Sequence, residues 1–354
     1  MHKSKSLVCG AGRQGKAIAY AMNKLGHESF ISDKDTAKLE SLPDGVKRVP
    51  YLHYLKYLKP DIVISALPYT ENHNLAGACI SGGFRYCDLG GNVRVSRLIN
   101  DLADQRATKP VMTDLGLAPG LINLITQYLV RKEEPVPRSV RMYVGGLPKE
   151  GLDYNHDIGG HLKYGIVFSP EGLVNEYVDT PYVLEKGAIK PAEPMGDLHA
   201  VSISGINLPF EAFNTSGGAH TTLKSFQNLG VRDCSYYTLR YYDHAKYIRF
   251  LYNDCKLTRK ELARAITNCC PEITEDVVVM LVRIDNRNSF FTTIYPKDGF
   301  TAMQRATAFP TAVVAHQIST GYFDCYKAVN YDHIVKEMSS FMGGFGCLLP
   351  EVKI

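Results

Sequence analysis

The sequence predicts an α/β fold: a doubly wound parallel sheet joined to an α+β substrate domain with a mixed sheet. Three observations carry this expectation. Short, nearly all-apolar runs alternate with segments of helical periodicity through the first 115 residues. Such strands belong to a parallel sheet covered on both faces. A glycine-rich turn, Gly10-Ala11-Gly12-Arg13-Gln14-Gly15, follows the first of these runs. After residues 132–137 the alternation lapses and strand-like runs follow one another.

The elements follow in order. Residues 6–9 are an apolar strand, and Ile18, Ala21, Met22 and Leu25 recur at helical spacing over 14–25 before Gly26 stops the helix. A second strand, 27–32, ends at Asp33, and a weaker one covers 46–49. Pro60 and Asp61 open a strand over 62–67, closed by Pro68. Helix 74–81, strand 86–89, helix 96–107 and strand 111–115 complete the alternation. Beyond it the pattern gives strands at 139–144, 183–186, 199–204, 210–214 and 236–240, and helices at 171–177, 244–253 and 259–268. Runs 277–284 and 290–295 form a hairpin through 285–288. A long apolar helix spans 302–318; Pro310 is expected to kink it or to occupy its first turn. Residues 332–342 form a last amphipathic segment.

The glycines mark where such a fold meets a ligand. Gly10 permits the tight turn, Gly12 lets backbone approach a pyrophosphate, and Gly15 lets the helix pack close to the strand. Arg13 and Gln14 open the helix, whose N-terminal N–H groups suit phosphates. Asp33 stands 18 residues after Gly15, at the end of the next strand. There it can accept hydrogen bonds from an adenine ribose 2′-OH, and it would repel a 2′-phosphate. The fingerprint is that of a Rossmann domain, and the cofactor expected is NAD, with NADP disfavoured. Ala66-Leu67-Pro68 and Asp88-Leu89-Gly90, at the carboxyl ends of later strands, are placed to line the nicotinamide.

Composition narrows the function. Of 354 residues, 45% are hydrophobic and 21% charged, which excludes a disordered or fibrous chain. A net charge of +4 is too mild to argue for a nucleic-acid or membrane surface. No apolar run approaches the roughly 20 residues of a membrane span. The glycine turn falls too early to leave room for a signal peptide, and nine cysteines without a C-x-x-C pair read as reduced thiols, so a cytoplasmic location is expected. His156 and His161 are five apart, a spacing without a fixed face, and no metal site is expected. Walker-type loops and G-x-S-x-G elbows are absent.

A set of segments in order makes a resemblance specific: GAGRQG (10–15), DLGGN (88–92), DLGLAPGLINLI (114–125), YVGGLP (143–148), LKYGIVFSPEGLVNEYV (162–178), EAFNTSGG (211–218), TLRYYDH (238–244) and AMQRATAFPTAVVA (302–315). Together they resemble the saccharopine dehydrogenase-like family, and within it the NAD-dependent L-lysine 6-dehydrogenases. The resemblance implies a nucleotide domain over 1–125, a substrate and dimerisation domain over 126–300, and C-terminal helices (301–354) that return to the nucleotide domain. It also implies a homodimer. Leu115, His220 and Tyr242-Asp243 depart from the family pattern, which usually has Cys, a small hydroxyl residue and Pro-Gly there.

Oxidising an amine with NAD needs a near-neutral base, a fork for the substrate carboxylate and a dry pocket. Arg240, ending a strand in a matched motif, is the expected carboxylate partner. His244 could shuttle a proton or orient Arg240, and His220 is a second candidate proton carrier. The Thr215-Ser216 turn, Lys163 and Tyr164 are candidate substrate contacts, and Glu211 and Asp88 could offset an ammonium. The reaction expected is oxidative deamination of lysine at C6. Saccharopine or a carboxylated polyamine as substrate stays open, as does a non-catalytic NAD(H)-binding sensor.

Overall fold

The computed structural model describes residues 3–50, 55–149, 160–203, 206–322 and 329–344, without the side chains of 206–209 and 220. His156, Ser204, the side chain of His220 and residues 345–354 therefore lie outside the described residues. The chain divides into two compact units, residues 1–121 with 304–354, and residues 122–303.

The first unit alternates β1 (Lys5–Cys9), α1 (Arg13–Lys24), β2 (Glu28–Ser32), β3 (Lys47–Arg48), α2 (Leu55–Leu58), β4 (Ile62–Ser65), α3 (Tyr69–Gly82), β5 (Tyr86–Asp88), α4 (Val93–Arg106) and β6 (Val111–Met112). The strands pair in parallel in the order β3-β2-β1-β4-β5-β6, a doubly wound sheet whose order reverses between β1 and β4. Leu7, Val63, Leu75, Cys79, Tyr86 and Ile99 pack one core around it, and α1 buries Ala17, Ile18, Ala21 and Met22. Two helices begin earlier than their apolar periodicity predicts. Pro68 precedes α3, whose first turn is polar, and the Asn92 side chain caps α4 by accepting from Arg94 N and Val95 N.

In the second unit come α5 (Leu121–Val130), β7 (Ser139–Pro148), α6 (Pro170–Val178), β8 (Tyr182–Glu185), β9 (Ala188–Pro191), β10 (His199–Ile203), β11 (Ile206–Asn214), α7 (His220–Leu229), β12 (Asp233–Tyr241), α8 (His244–Arg249), α9 (Arg259–Cys269), β13 (Asp276–Ile284) and β14 (Arg287–Ile294). The sheet runs β10-β11-β12-β7-β13-β14, with the β8–β9 hairpin attached to β12. It is mixed, because β12 and β7 are parallel while the other pairs are antiparallel.

Several elements differ from expectation for local reasons. Helix 244–253 is α8 followed by a π-helical turn, Phe250–Asp254. The β13–β14 hairpin turns on two residues, not four: Asp285 (φ 47°) and Asn286 (φ 65°) both take the left-handed conformation that matches strand twist. α10 (Ala302–Ser319) carries Pro310 in its interior, not its first turn, and its start is capped by Asp276, which accepts from Ala302 N (2.6 Å) and Met303 N (2.8 Å). α11 (Tyr331–Gly344) follows. No described helix is long and apolar enough to cross a membrane. Among the described residues every cysteine is a free thiol, and no three His, Cys, Asp or Glu side chains gather as a metal site.

Candidate functional site

Open parallel sheets bind ligands beyond the carboxyl ends of their strands, where the strand order reverses. In the first unit that place is ringed by the ends of β1, β2, β4 and β5. Gly10 has φ +104°, and a Cβ there would lie 2.6 Å from Ala66 O. A Cβ on Gly15 would fall 1.8 Å from Gly10 O, so only glycine lets α1 sit against the turn. Gly12 is the opposite case: nothing lies within 4 Å of its added Cβ. It is the N-cap of α1 and has no side-chain cap, so the helix presents its N-terminus on an open face. That cradle fits a dinucleotide pyrophosphate. Asp33 is buried, with Oδ2 accepting from Ala11 N (2.7 Å) and Oδ1 from Asp35 N (2.9 Å). Each oxygen keeps a lone pair for a ribose hydroxyl. Ala66 and Leu67 line the β4 end, half-buried, with Pro68 exposed beyond them.

Asp88 fixes its own turn. Its carboxyl is turned inward: Oδ1 accepts from Gly90 N (2.8 Å) and Asp114 N (3.2 Å), and Oδ2 from the Tyr86 hydroxyl (2.9 Å). It fixes the loop instead of offering itself to an ammonium. Burial, reinforced by the charge of Asp114, pushes its carboxyl up to about 7. Burial raises Asp114 to about 6 against the hydrogen bonds from Ser96 and Thr113.

The second unit holds a buried polar cluster on α6, β12 and α8. Arg240 donates from Nε to the Tyr177 hydroxyl (2.8 Å) and from Nη1 to Leu239 O (2.9 Å). Its guanidinium lies 4.9 Å from the Tyr164 ring and 5.6 Å from the Tyr177 ring. Its Nη2 stands 4.0 Å from Glu176 Oε2, too far for a hydrogen bond. Glu176 keeps 28% side-chain exposure, so water reaches it. Burial nevertheless raises its carboxyl to about 7, with Arg240 pulling the other way. The Tyr164 hydroxyl is buried and has no hydrogen-bond partner among the described residues.

His244 is fixed at both nitrogens. Nδ1 lies 2.7 Å from Leu162 O, an acceptor only, so Nδ1 carries the proton. Nε2, 2.9 Å from the Tyr177 hydroxyl, then accepts. Burial, with Arg240 adding to it, lowers its pKa to about 3. Of its two readings, the geometry fits the orienting one: His244 is a neutral ring that holds Tyr177, and through it Arg240.

Other expectations resolve individually. Glu211, opposite Arg240 in register, spends its carboxylate on the start of α8, accepting from Asp243 N (3.1 Å) and Ala245 N. Lys163 is exposed, with φ 47°, and donates to Tyr242 O (3.2 Å), away from its neighbour Tyr164. Thr215 and Thr238 share a hydroxyl contact of 2.7 Å, and Ser216 N donates to Glu176 O (3.0 Å), which ties that turn to α6. The structure thus brings Arg240, His244 and Tyr164 together, leaves Lys163 outside, and adds Glu176 and Tyr177. A signal for these two existed: they follow Leu173 at i+3 and i+4 on α6, so Glu176 sits at the edge of the face that Leu173 and Tyr177 bury.

The saccharopine dehydrogenase C-terminal domain model matches residues 116–343. Among solved structures, the chain is similar in fold to apo saccharopine dehydrogenase (L-Glu forming) from Saccharomyces cerevisiae, at 16% identity over 98% of this chain and 99% of that one, with a TM-score of 0.72. Apo scyllo-inositol dehydrogenase from Lactobacillus casei matches at 9% identity over 96% of this chain and 94% of that one, with a TM-score of 0.45. Matched by that model over well more than half of its length, this chain belongs to the saccharopine dehydrogenase family of NAD(P)-dependent oxidoreductases.

Proposed function

We propose that the protein is an NAD-dependent amine dehydrogenase that oxidatively deaminates L-lysine at C6. The observation that carries this reading is the Glu176–Arg240 pair, a water-reached carboxyl at about 7 beside a buried guanidinium. An amine gives up hydride only with its nitrogen lone pair free, so the substrate ammonium first loses a proton. Glu176 takes that proton, because its basicity matches the working pH. Arg240 offers Nη2 to the substrate carboxylate, held in place by its bond to Tyr177 and, through Tyr177, by His244. The Gly10–Gly15 turn and Asp33 would hold the dinucleotide, and Asp33 sets the preference for NAD by repelling a 2′-phosphate. The bound nicotinamide supplies the hydride acceptor.

The test mixes purified protein with NAD or NADP and a panel of L-lysine, saccharopine and carboxylated polyamines, and follows reduced cofactor by absorbance. Turnover of lysine with NAD is expected. Saccharopine oxidised with lysine inert would replace the substrate while keeping the chemistry, a second reading that the family match favours. Tight NADH binding without turnover in either direction would point to a redox sensor.

A further inference from the structure

We propose that Asp88 and Asp114 act together as positioning residues for the dinucleotide, holding the loops at the ends of β5 and β6, so that nucleotide binding weakens when both carboxyls are ionised. The inference rests on the nucleotide reading of the first unit. Asp88 Oδ1 takes the N–H of Gly90, in the loop after β5, and of Asp114, just past β6. A single oxygen thereby stitches the two strand ends. Asp114 takes a left-handed φ of 65°, and its Oδ1 accepts from the Ser96 hydroxyl on α4 (2.7 Å). Gly90 passes against it so closely that a Cβ there would lie 2.5 Å from Asp114 Oδ1. The loop's path therefore depends on where both carboxyls stand, and both loops lie at the ligand-facing end of the sheet.

The groups facing the pair leave it one titrating partner each. Tyr86 and Cys87 on β5 are pushed up by burial and keep their protons; Cys79 on α3, beyond them, does too. Ser96 and Thr113 contribute neutral hydroxyls. Burial raises both carboxyls, and the charge of Asp114 adds to it at Asp88, so the pair holds a proton into the pH range where solvent-exposed aspartates have none. Raising the pH sends that proton to solvent and leaves two anions flanking Gly90, and their repulsion loosens the loops.

The test compares wild type with Asp88→Asn and Asp114→Asn, which cannot ionise. Each keeps one accepting oxygen, for Gly90 N and Asp114 N at position 88 and for the Ser96 hydroxyl at position 114. The amide NH2 meets the Tyr86 or Thr113 hydroxyl, which can accept. NADH affinity is measured by fluorescence from about pH 6 to about pH 8.5, and thermal midpoints are recorded over the same range. Wild-type affinity is expected to fall several-fold as pH rises, and the variants to change by less than about twofold. The variants should also gain stability relative to wild type as pH rises. A variant with the wild-type pH slope, or one weakened equally at every pH, would overturn the proposal by making the acids merely structural. A flat wild-type profile would do the same. If Asp88→Asn does not fold, Asp114→Asn decides alone. Absence of NADH binding at every pH would instead remove the nucleotide reading, and the thermal comparison tells the two failures apart.

Discussion

Replacing Glu176 by Gln removes a negative charge and a basic lone pair while leaving the volume unchanged, so it separates proton transfer from packing. The carboxyl is held up to about 7, chiefly by burial. Acting as a base it must be ionised, so wild-type kcat should fall as pH drops through that value. In Glu176→Gln this limb should disappear and kcat at neutral pH should drop by about 100-fold or more, with KM little changed. A pH–rate profile with the limb intact would assign the base elsewhere. At this scale the sequence was only partly legible. Arg240 and His244 stand in motif segments where polar side chains invite attention. Which nitrogen of His244 carries the proton depends on Leu162 and Tyr177, brought to it from distant parts of the chain. No spacing along the sequence reports that.

The β1–α1 turn offers a sharper contrast at the level of one element, because its glycines do different jobs. Gly12 has an ordinary φ of −71° and open space around its missing Cβ. Gly12→Ala should therefore fold with a thermal midpoint near wild type. The methyl group would occupy the cradle, and NADH affinity should fall by roughly tenfold or more, equivalent to about 1.4 kcal/mol. Gly15→Ala meets Gly10 O at 1.8 Å, so α1 must move away from the turn. Its midpoint should fall as well as its affinity. Equal stability loss in both, followed by thermal melting, would mean that Gly12 is needed for the turn itself. This motif was readable because its glycines are set by local geometry. The same holds for β1, β4 and β13, whose apolar runs bury nearly every residue. α5 was missed although Leu121, Ile122, Leu124, Ile125, Tyr128 and Leu129 recur at helical spacing, a signal that was there to be read. β9 was missed because all four of its residues are exposed. α10 was read, but its cap was not, since Asp276 lies on another strand.

Across the whole molecule, stability against pH depends on groups that pull in opposite directions. In the first unit Asp88 and Asp114 are raised to about 7 and about 6 by burial. Between about pH 4 and these values the folded state holds protons that the unfolded state has released, so stability falls as pH rises through that window. His27 acts the other way. It is buried, its Nε2 lies 3.0 Å from His316 Nδ1, and burial followed by the charge of His316 lowers its pKa to about 4. Below about pH 6.5 the unfolded state takes a proton that the folded state refuses, so stability rises with pH up to that point and then levels. The two slopes overlap, and the wild-type midpoint of the first unit should vary little between about pH 5 and about pH 6.5. His27→Gln removes most of the rising slope; His316, also lowered by burial, retains a smaller share. In that variant calorimetry should show the midpoint falling as pH rises from about 5 to about 7. A midpoint that climbs instead would mean that both acids are ionised in the folded state, and the titration proposed for the nucleotide loops would go with it.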